Sequence, residues 1–416
     1  MQSVTDLTLP YMPFDEPDFA VDPMPYLEAA RRQHPWLAKC AVGYFVHEYH
    51  AIRDLYLMDD KFRNSADAIT AHMGAKGTPW GRFMEEMMIA KSGPEHARLR
   101  GSVAAAFTPR SINRLRSLMR EVVSNLLDEW VPRGAFDFAA FASNFPITVM
   151  FGFMGASTDA LQSIRKSLET QGLSYSMDPS LLPALEEAYQ VLWDFVDKLV
   201  IERQKRGGRN EGELLDEMIA ANAAGRLSDV EMRELLIFLF AAAYDTSKNM
   251  TTLIMHMMLK HPEMWTRCGE DRAFCSKVVE EILRHTSTSN VPRTVSSEVI
   301  YRDVLFPKDV MLILPLSISG RDPNAFPDAM KFQPERVHVN HHIAFGRGMH
   351  MCLGQHLARA QIEEGIHLMA QRIVKPKLAG KVTWRRFPGT WGVSSLPITF
   401  EPGARLSRDG DGGAAA

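Results

Sequence analysis

Cys352 stands in the run Phe345-Gly346-Arg347-Gly348-Met349-His350-Met351-Cys352-Leu353-Gly354, which places three glycines around one thiol just before a strongly periodic segment. Glycine lets a chain turn tightly and bring its backbone close to a flat ligand. A cysteine at a helix N-terminus has its thiolate favoured by the helix dipole and by free N–H groups. This is a place to hold a thiolate against a metal, and it makes Cys352 the candidate metal ligand. Further upstream an apolar run leads into Ala241-Ala242-Ala243-Tyr244-Asp245-Thr246-Ser247, where a carboxyl and a hydroxyl interrupt hydrophobic surface. Burying such a pair needs a reason. A purely structural one is available: Thr246 bonds back to a helix carbonyl and Asp245 finds an ion-pair partner.

The elements that must position these residues are mostly helical. Pro109 to Trp130, Leu182 to Arg206, Ser228 to Lys260, Ser276 to Thr286 and Gln355 to Ile373 all place apolar residues three and four apart. Shorter β-branched or alternating stretches, Val295 to Tyr301, Val310 to Pro315 and Ser394 to Phe400, read as strands of a minor sheet. The expected class is mainly α with a small β region. With no internal repeat and no composition break, residues 1–402 read as one domain. The Gly- and Ala-rich tail 403–416 has nothing to pack and reads as mobile.

Composition narrows the function. The formal net charge of −3 gives no reason to expect nucleic acid or anionic membrane as a partner. Met1 to Tyr26 lacks the basic and apolar regions of a signal peptide. The longest apolar run, Leu235 to Tyr244, is far below the ~18 residues that span a bilayer. Cys40, Cys268 and Cys275 form no CxxC pair or disulfide framework, and read as packed structural thiols in a reducing compartment. A cytoplasmic protein without a membrane anchor is expected.

The cysteine run, Phe-Gly-x-Gly-x-His-x-Cys-x-Gly, resembles the haem-binding signature of the cytochromes P450, with every fixed position filled. The resemblance implies haem b (iron protoporphyrin IX), with Cys352 as its axial ligand donating electron density to the iron, and Phe345, Gly346, His350 and Gly354 among the residues around it. It implies that Glu281 and Arg284, an isolated ExxR that would otherwise read as a solvated helix pair, join Arg336 of Phe332-Gln333-Pro334-Glu335-Arg336 in a buried network beneath the cysteine loop. His96 and Arg100, four apart in Glu-His-Ala-Arg-Leu-Arg, together with Arg293 and His350, are the implied partners of the haem propionates; taken one at a time, each reads as a surface cation. Asp245 and Thr246 match the family's distal acid and threonine, which direct protons and water during dioxygen activation. Ala243 departs from the pattern, since glycine usually stands there.

The family's fold and reaction follow as expectations: the α-rich cytochrome P450 fold, and insertion of one atom of dioxygen into a C–H bond of a small hydrophobic substrate. Electrons would come from a ferredoxin and an NAD(P)H-dependent ferredoxin reductase, because no flavin or iron–sulfur module is encoded. Family pocket walls map to Ile69 to Phe83 with Met73 and Trp80, to Met84 to Ile89, and to Gly389 to Val393 with Trp391. Thr286 to Val291 supplies either a polar handle for substrate or hydroxyls that cap the preceding helix. A hydrophobic ring compound, such as a terpenoid, steroid or aromatic, suits these walls. Two alternatives make separate predictions. A peroxide-driven peroxygenase turns over equally well with peroxide, and a non-catalytic haem-based ligand-binding protein forms no product when redox partners are supplied.

Overall fold

The computed structural model describes residues 2–207, 213–337 and 339–405. Its helices that position the site are α1 (Gly93–Gly101), α2 (Arg116–Trp130), α3 (Asn144–Met154), α4 (Leu161–Gln171), α5 (Leu182–Arg206), α6 (Asp229–Met258), α7 (Pro262–Glu270), α8 (Arg272–His285) and α9 (Gln355–Arg372). The central one is α6. Ser228 starts it with a capping box, its hydroxyl accepting from the Glu231 N–H while the Glu231 carboxylate accepts from the Ser228 N–H. Helix α6 is apolar on most sides, so it runs buried, packed against α3, α4, α5 and α9. Helix α9 packs in turn on α2, α7 and α8.

The β region lies to one side. A five-stranded sheet has the order β1–β2–β5–β4–β3, with β1 Leu37–Cys40, β2 Gly43–Val46, β3 Phe62–Asn64, β4 Arg293–Val295 and β5 Met311–Ile313. Strands β5 and β2 run parallel and the other neighbours antiparallel. Register matters at one point: Asn64 on β3 faces Arg293 on β4, which brings the chain before α1 against the segment after α8. A C-terminal hairpin pairs Thr383–Trp384 with Val393–Ser395, and between them Gly389–Thr390 pairs with Ser289–Asn290.

The helical periods and the minor sheet are as expected, with boundaries moved where local chemistry intervenes. Pro109 to Trp130 is two helices, Pro109–Asn113 and α2. Asn113 at the junction is a weak helix former, and its side-chain oxygen accepts from Arg116 Nε at 3.1 Å. Val295 to Tyr301 is likewise divided: β4 ends at Val295, its pairing with the β3 side carried one residue further by the Ser296 N–H on the Lys61 carbonyl, and Val299–Tyr301 joins a separate small sheet. At the far end Gly403 and Arg405 are held, the first donating to the Arg372 carbonyl and the second to Asp128 at 2.9 Å. The rest of the expected mobile tail, 406–416, lies outside the described residues. Among the described residues no helix is long and apolar enough to cross a membrane.

Candidate active site

The cysteine loop is shaped by two glycines with positive φ, Gly346 at 68° and Gly348 at 71°. At Gly348 the conformation is enforced from outside: a Cβ there would lie 2.5 Å from the Asp59 carboxylate, which accepts from the Met349 N–H at 2.6 Å. The loop closes on itself where the Cys352 N–H donates to the Phe345 carbonyl at 2.8 Å, and α9 begins three residues after the sulfur. Burial pushes the Cys352 thiol up, opposed by the Gly354 N–H and the charges of Arg100 and Arg359. Arg359 lies over the Phe345 ring at 4.5 Å and pairs with Glu280 at 2.5 Å, which fixes the aromatic wall of the loop.

Beneath this loop the ExxR pair is fully buried. Arg284 Nε and Nη2 each bond Glu281 at 2.8 Å, and Arg336 Nε reaches the same carboxylate at 3.3 Å. The remaining guanidinium donors of Arg284 meet the carbonyls of Gly320, Ala329 and Lys331. Those of Arg336 meet Pro327, Asp328 and Lys331. The Gln333 N–H also donates to Glu281. Such saturation is what permits charge in a dry interior.

Beside the loop, basic side chains from three places converge. The His96 and His350 rings meet edge to face with centroids 4.6 Å apart. Arg100 donates to the Met351 carbonyl at 2.8 Å, and Arg293 lies over the Tyr56 ring at 5.1 Å. Burial holds His350 down at about 3, and Arg293, His96 and Arg100 push it the same way; burial followed by Arg100 lowers His96. Mutual repulsion among these groups marks a region short of negative charge. His350 Nδ1 is buried with no partner among the described residues.

On α6, Ala242 is exposed although Phe240 and Tyr244 are buried. One turn on, Thr246 Oγ1 donates to the Ala242 carbonyl at 2.7 Å. Asp245, 2% exposed, forms an ion pair with Arg385 through Oδ1. Both bonds are the structural solutions open to a buried hydroxyl and carboxyl. Among the described residues they leave Asp245 Oδ2 buried with no partner, as is Asn249 Oδ1. Arg385, Gly172 and Asp59 carried no sequence signal, since each owes its place to a contact between distant segments.

In two of the expected pocket walls the tryptophan is anchored in the core. Trp80 donates its indole N–H to Gln171 at 3.1 Å, and Trp391 donates to the Ala20 carbonyl at 2.9 Å while stacking on Trp384. A buried indole sits where its N–H finds an acceptor. In the polar segment after α8, Thr286 bonds His285, and Asn290 bonds the Phe387 carbonyl and Ser317.

Among the described residues no cluster of three His, Cys, Asp or Glu could chelate an ion by itself. A metal at Cys352 therefore needs further ligands brought by a cofactor. A haem fits what is present: a thiol in the loop and, beside it, donors and cations with an unpartnered His350 nitrogen.

Comparison with known proteins agrees. The cytochrome P450 family model matches residues 46–373. Luteothin monooxygenase of Streptomyces thioluteus is 30% identical over 94% of this chain and 96% of its own. The polyketide biosynthesis cytochrome P450 PksS of Bacillus subtilis is 27% identical over 76% of this chain and 78% of its own. The structure of P450epoK with epothilone D superposes with a TM-score of 0.84 at 21% identity, covering 93% and 98% of the two chains. This chain belongs to the cytochrome P450 family and has its α-rich fold with a small β region. It is a haem-iron monooxygenase.

Proposed function

We propose that the protein inserts one oxygen atom of dioxygen into a C–H bond of a hydrophobic ring compound, a terpenoid, steroid or aromatic, with electrons from a ferredoxin and its NAD(P)H-dependent reductase, in the cytoplasm. The observation that carries this reading is the meeting of His96 and Arg100 from α1, Arg293 from β4 and His350 from the cysteine loop beside Cys352, three segments far apart in the sequence. Cys352 holds haem b by its sulfur, within the loop formed by Phe345, Gly346, His350 and Gly354. His350 Nδ1 and the Arg293 and Arg100 guanidiniums take the propionates, whose charge relieves the crowding of cations. When bound, the haem supplies the chemistry of dioxygen activation.

The protein's own residues manage protons and water. Thr246 can turn its hydroxyl from the Ala242 carbonyl toward the distal face, and Asp245 exchanges protons through the free Oδ2. This acid and hydroxyl support dioxygen, rather than peroxide, as the oxidant. The names of the relatives, one a luteothin monooxygenase and another assigned to polyketide biosynthesis, favour a product of secondary metabolism among the ring compounds. The test is a titration of the ferric protein with terpenoids, steroids, aromatics, polyketides and fatty acids, followed by the Soret band. A low- to high-spin shift with a ring-compound class and product on reduction through ferredoxin are expected. A shift with fatty acids alone, or binding without product, would overturn the reading.

A further inference from the structure

We propose that Arg385 is a positioning residue for Asp245, and that it makes the orientation of this acid depend on the seating of the loop that follows α4. The inference rests on the proton-delivery reading of Asp245 and adds what controls it. Arg385 sits in the C-terminal hairpin, where its N–H donates to the Gly392 carbonyl at 2.9 Å. One guanidinium nitrogen holds Asp245 Oδ1, and the other donates to the carbonyl of Gly172 at 3.1 Å. A single side chain thus grips the acid on α6 and the backbone just past the end of α4.

The fit around the carboxyl is close. A Cβ at Gly172 would lie 2.5 Å from Asp245 Oδ2, and one at Gly392 would lie 2.7 Å from Asn249 Cβ. Asn249 Nδ2 donates to the Asp245 carbonyl at 2.7 Å and to Oδ1 at 3.2 Å. Among the described residues all donors therefore fall on Oδ1 and none on Oδ2. The clamp keeps one oxygen occupied and leaves its neighbour available for proton exchange. Without Arg385 the carboxylate loses its only ion-pair partner among the described residues, and a buried carboxylate in that position rotates or takes up a proton.

The loop after α4 is seated by the same hairpin and by the sheet. A Cβ at Gly389 would lie 3.1 Å from Tyr175 Cβ, Arg386 lies 3.5 Å from Asp178, and the Tyr175 hydroxyl donates to Asn64 Oδ1 at 3.3 Å. Asn64 faces Arg293 across β3 and β4, so the seated loop spans from the acid to the cation cluster. Lifting it withdraws the Gly172 carbonyl from Arg385 and opens the space that now confines the carboxyl. Asp245 is in its working orientation when the loop is down.

The test compares haem-loaded wild type with Arg385→Gln, Arg385→Lys, Gly172→Ala and Asp245→Asn. Three quantities are read: hydrogen exchange of 172–178, hydrogen peroxide released per reductant consumed, and the solvent isotope effect on kcat. For Arg385→Gln, exchange of the loop should rise about tenfold, the loss expected for one hydrogen bond to a charged group, with several-fold more peroxide and a larger solvent isotope effect. Arg385→Lys should restore part of each. Gly172→Ala, which displaces the carboxyl and leaves Arg385 in place, should reproduce the peroxide and isotope changes, and it decides the matter if Arg385→Gln does not hold haem. If Asp245→Asn uncouples turnover while Arg385→Gln and Gly172→Ala leave coupling and isotope effect unchanged, the positioning role is overturned and proton delivery stands. If Asp245→Asn also leaves them unchanged, proton delivery itself fails and the inference falls with it.

Discussion

His96 on α1 and His350 in the cysteine loop meet edge to face at 4.6 Å, although one lies in the first quarter of the chain and the other near its end. Burial favours the neutral form of both, so they are suited to act as hydrogen-bond donors beside the permanent charges of Arg100 and Arg293. Replacing Arg293 by Gln should speed haem loss to a scavenger protein about tenfold or more, the worth of one charge-assisted bond. Haem-loss kinetics in stopped flow check this, and wild-type rates in the variant would remove Arg293 from the propionate site.

The reduced carbon-monoxide complex should show the strongly red-shifted Soret band of thiolate ligation, and Cys352→His should abolish it. Persistence of that band in the variant would assign the ligand elsewhere.

For Thr246→Ala the helix keeps its backbone bonds, since only the side-chain bond to the Ala242 carbonyl is lost. Reductant consumption should continue at a similar rate, with several-fold less product and correspondingly more hydrogen peroxide. Product and peroxide assayed against NAD(P)H oxidation decide it, and unchanged coupling would remove the hydroxyl from proton delivery.

Glu281→Ala leaves Arg284 and Arg336 charged under the cysteine loop, at a cost of roughly 3–5 kcal/mol. The expected outcome is a low yield of haem-loaded protein and a Tm lowered by many degrees. Glu335→Ala, which breaks exposed pairs with Arg267 and Lys277, should leave Tm nearly unchanged. Thermal scans of the two variants make the comparison.

His47 is buried with both ring nitrogens unpartnered among the described residues, and burial, with Arg31 and His34, holds it down at about 4 from an ordinary value of 6.5. The unfolded chain therefore binds the proton first as pH falls. The stabilisation is complete above about pH 6.5 and is lost on the way down to about 4, reaching about 2 kcal/mol of loss near pH 5. His256, also held down at about 4 by burial, acts in the same direction. Tm measured from pH 7 to 5 should fall less steeply for His47→Gln than for wild type, and parallel slopes would refute the assignment.

Much of the site could be read from the chain because its cause is local. The register of Gly346, Gly348, His350 and Cys352 is a backbone requirement written in consecutive residues, and α9 starts where its periodicity starts. Leu182 to Arg206 is helical over that same span, α5. Where the sequence left a partner open, the cause was tertiary: Trp391 carries nothing that says its indole N–H will meet Ala20, and Trp80 nothing that says its own will meet Gln171.

By itself the sequence determined the chemistry on offer: a thiol in a glycine-rich loop ahead of a helix, an acid and a hydroxyl on a buried helix, and cations in the order the family uses. Only the tertiary structure decided how these groups are partnered. Arg385 reaches Asp245, Asp59 pins the Met349 N–H, and His96 reaches His350 across long separations in sequence. Periodicity and backbone preference act over a few residues, whereas the pairing of a buried charge is set by which surfaces the core brings together.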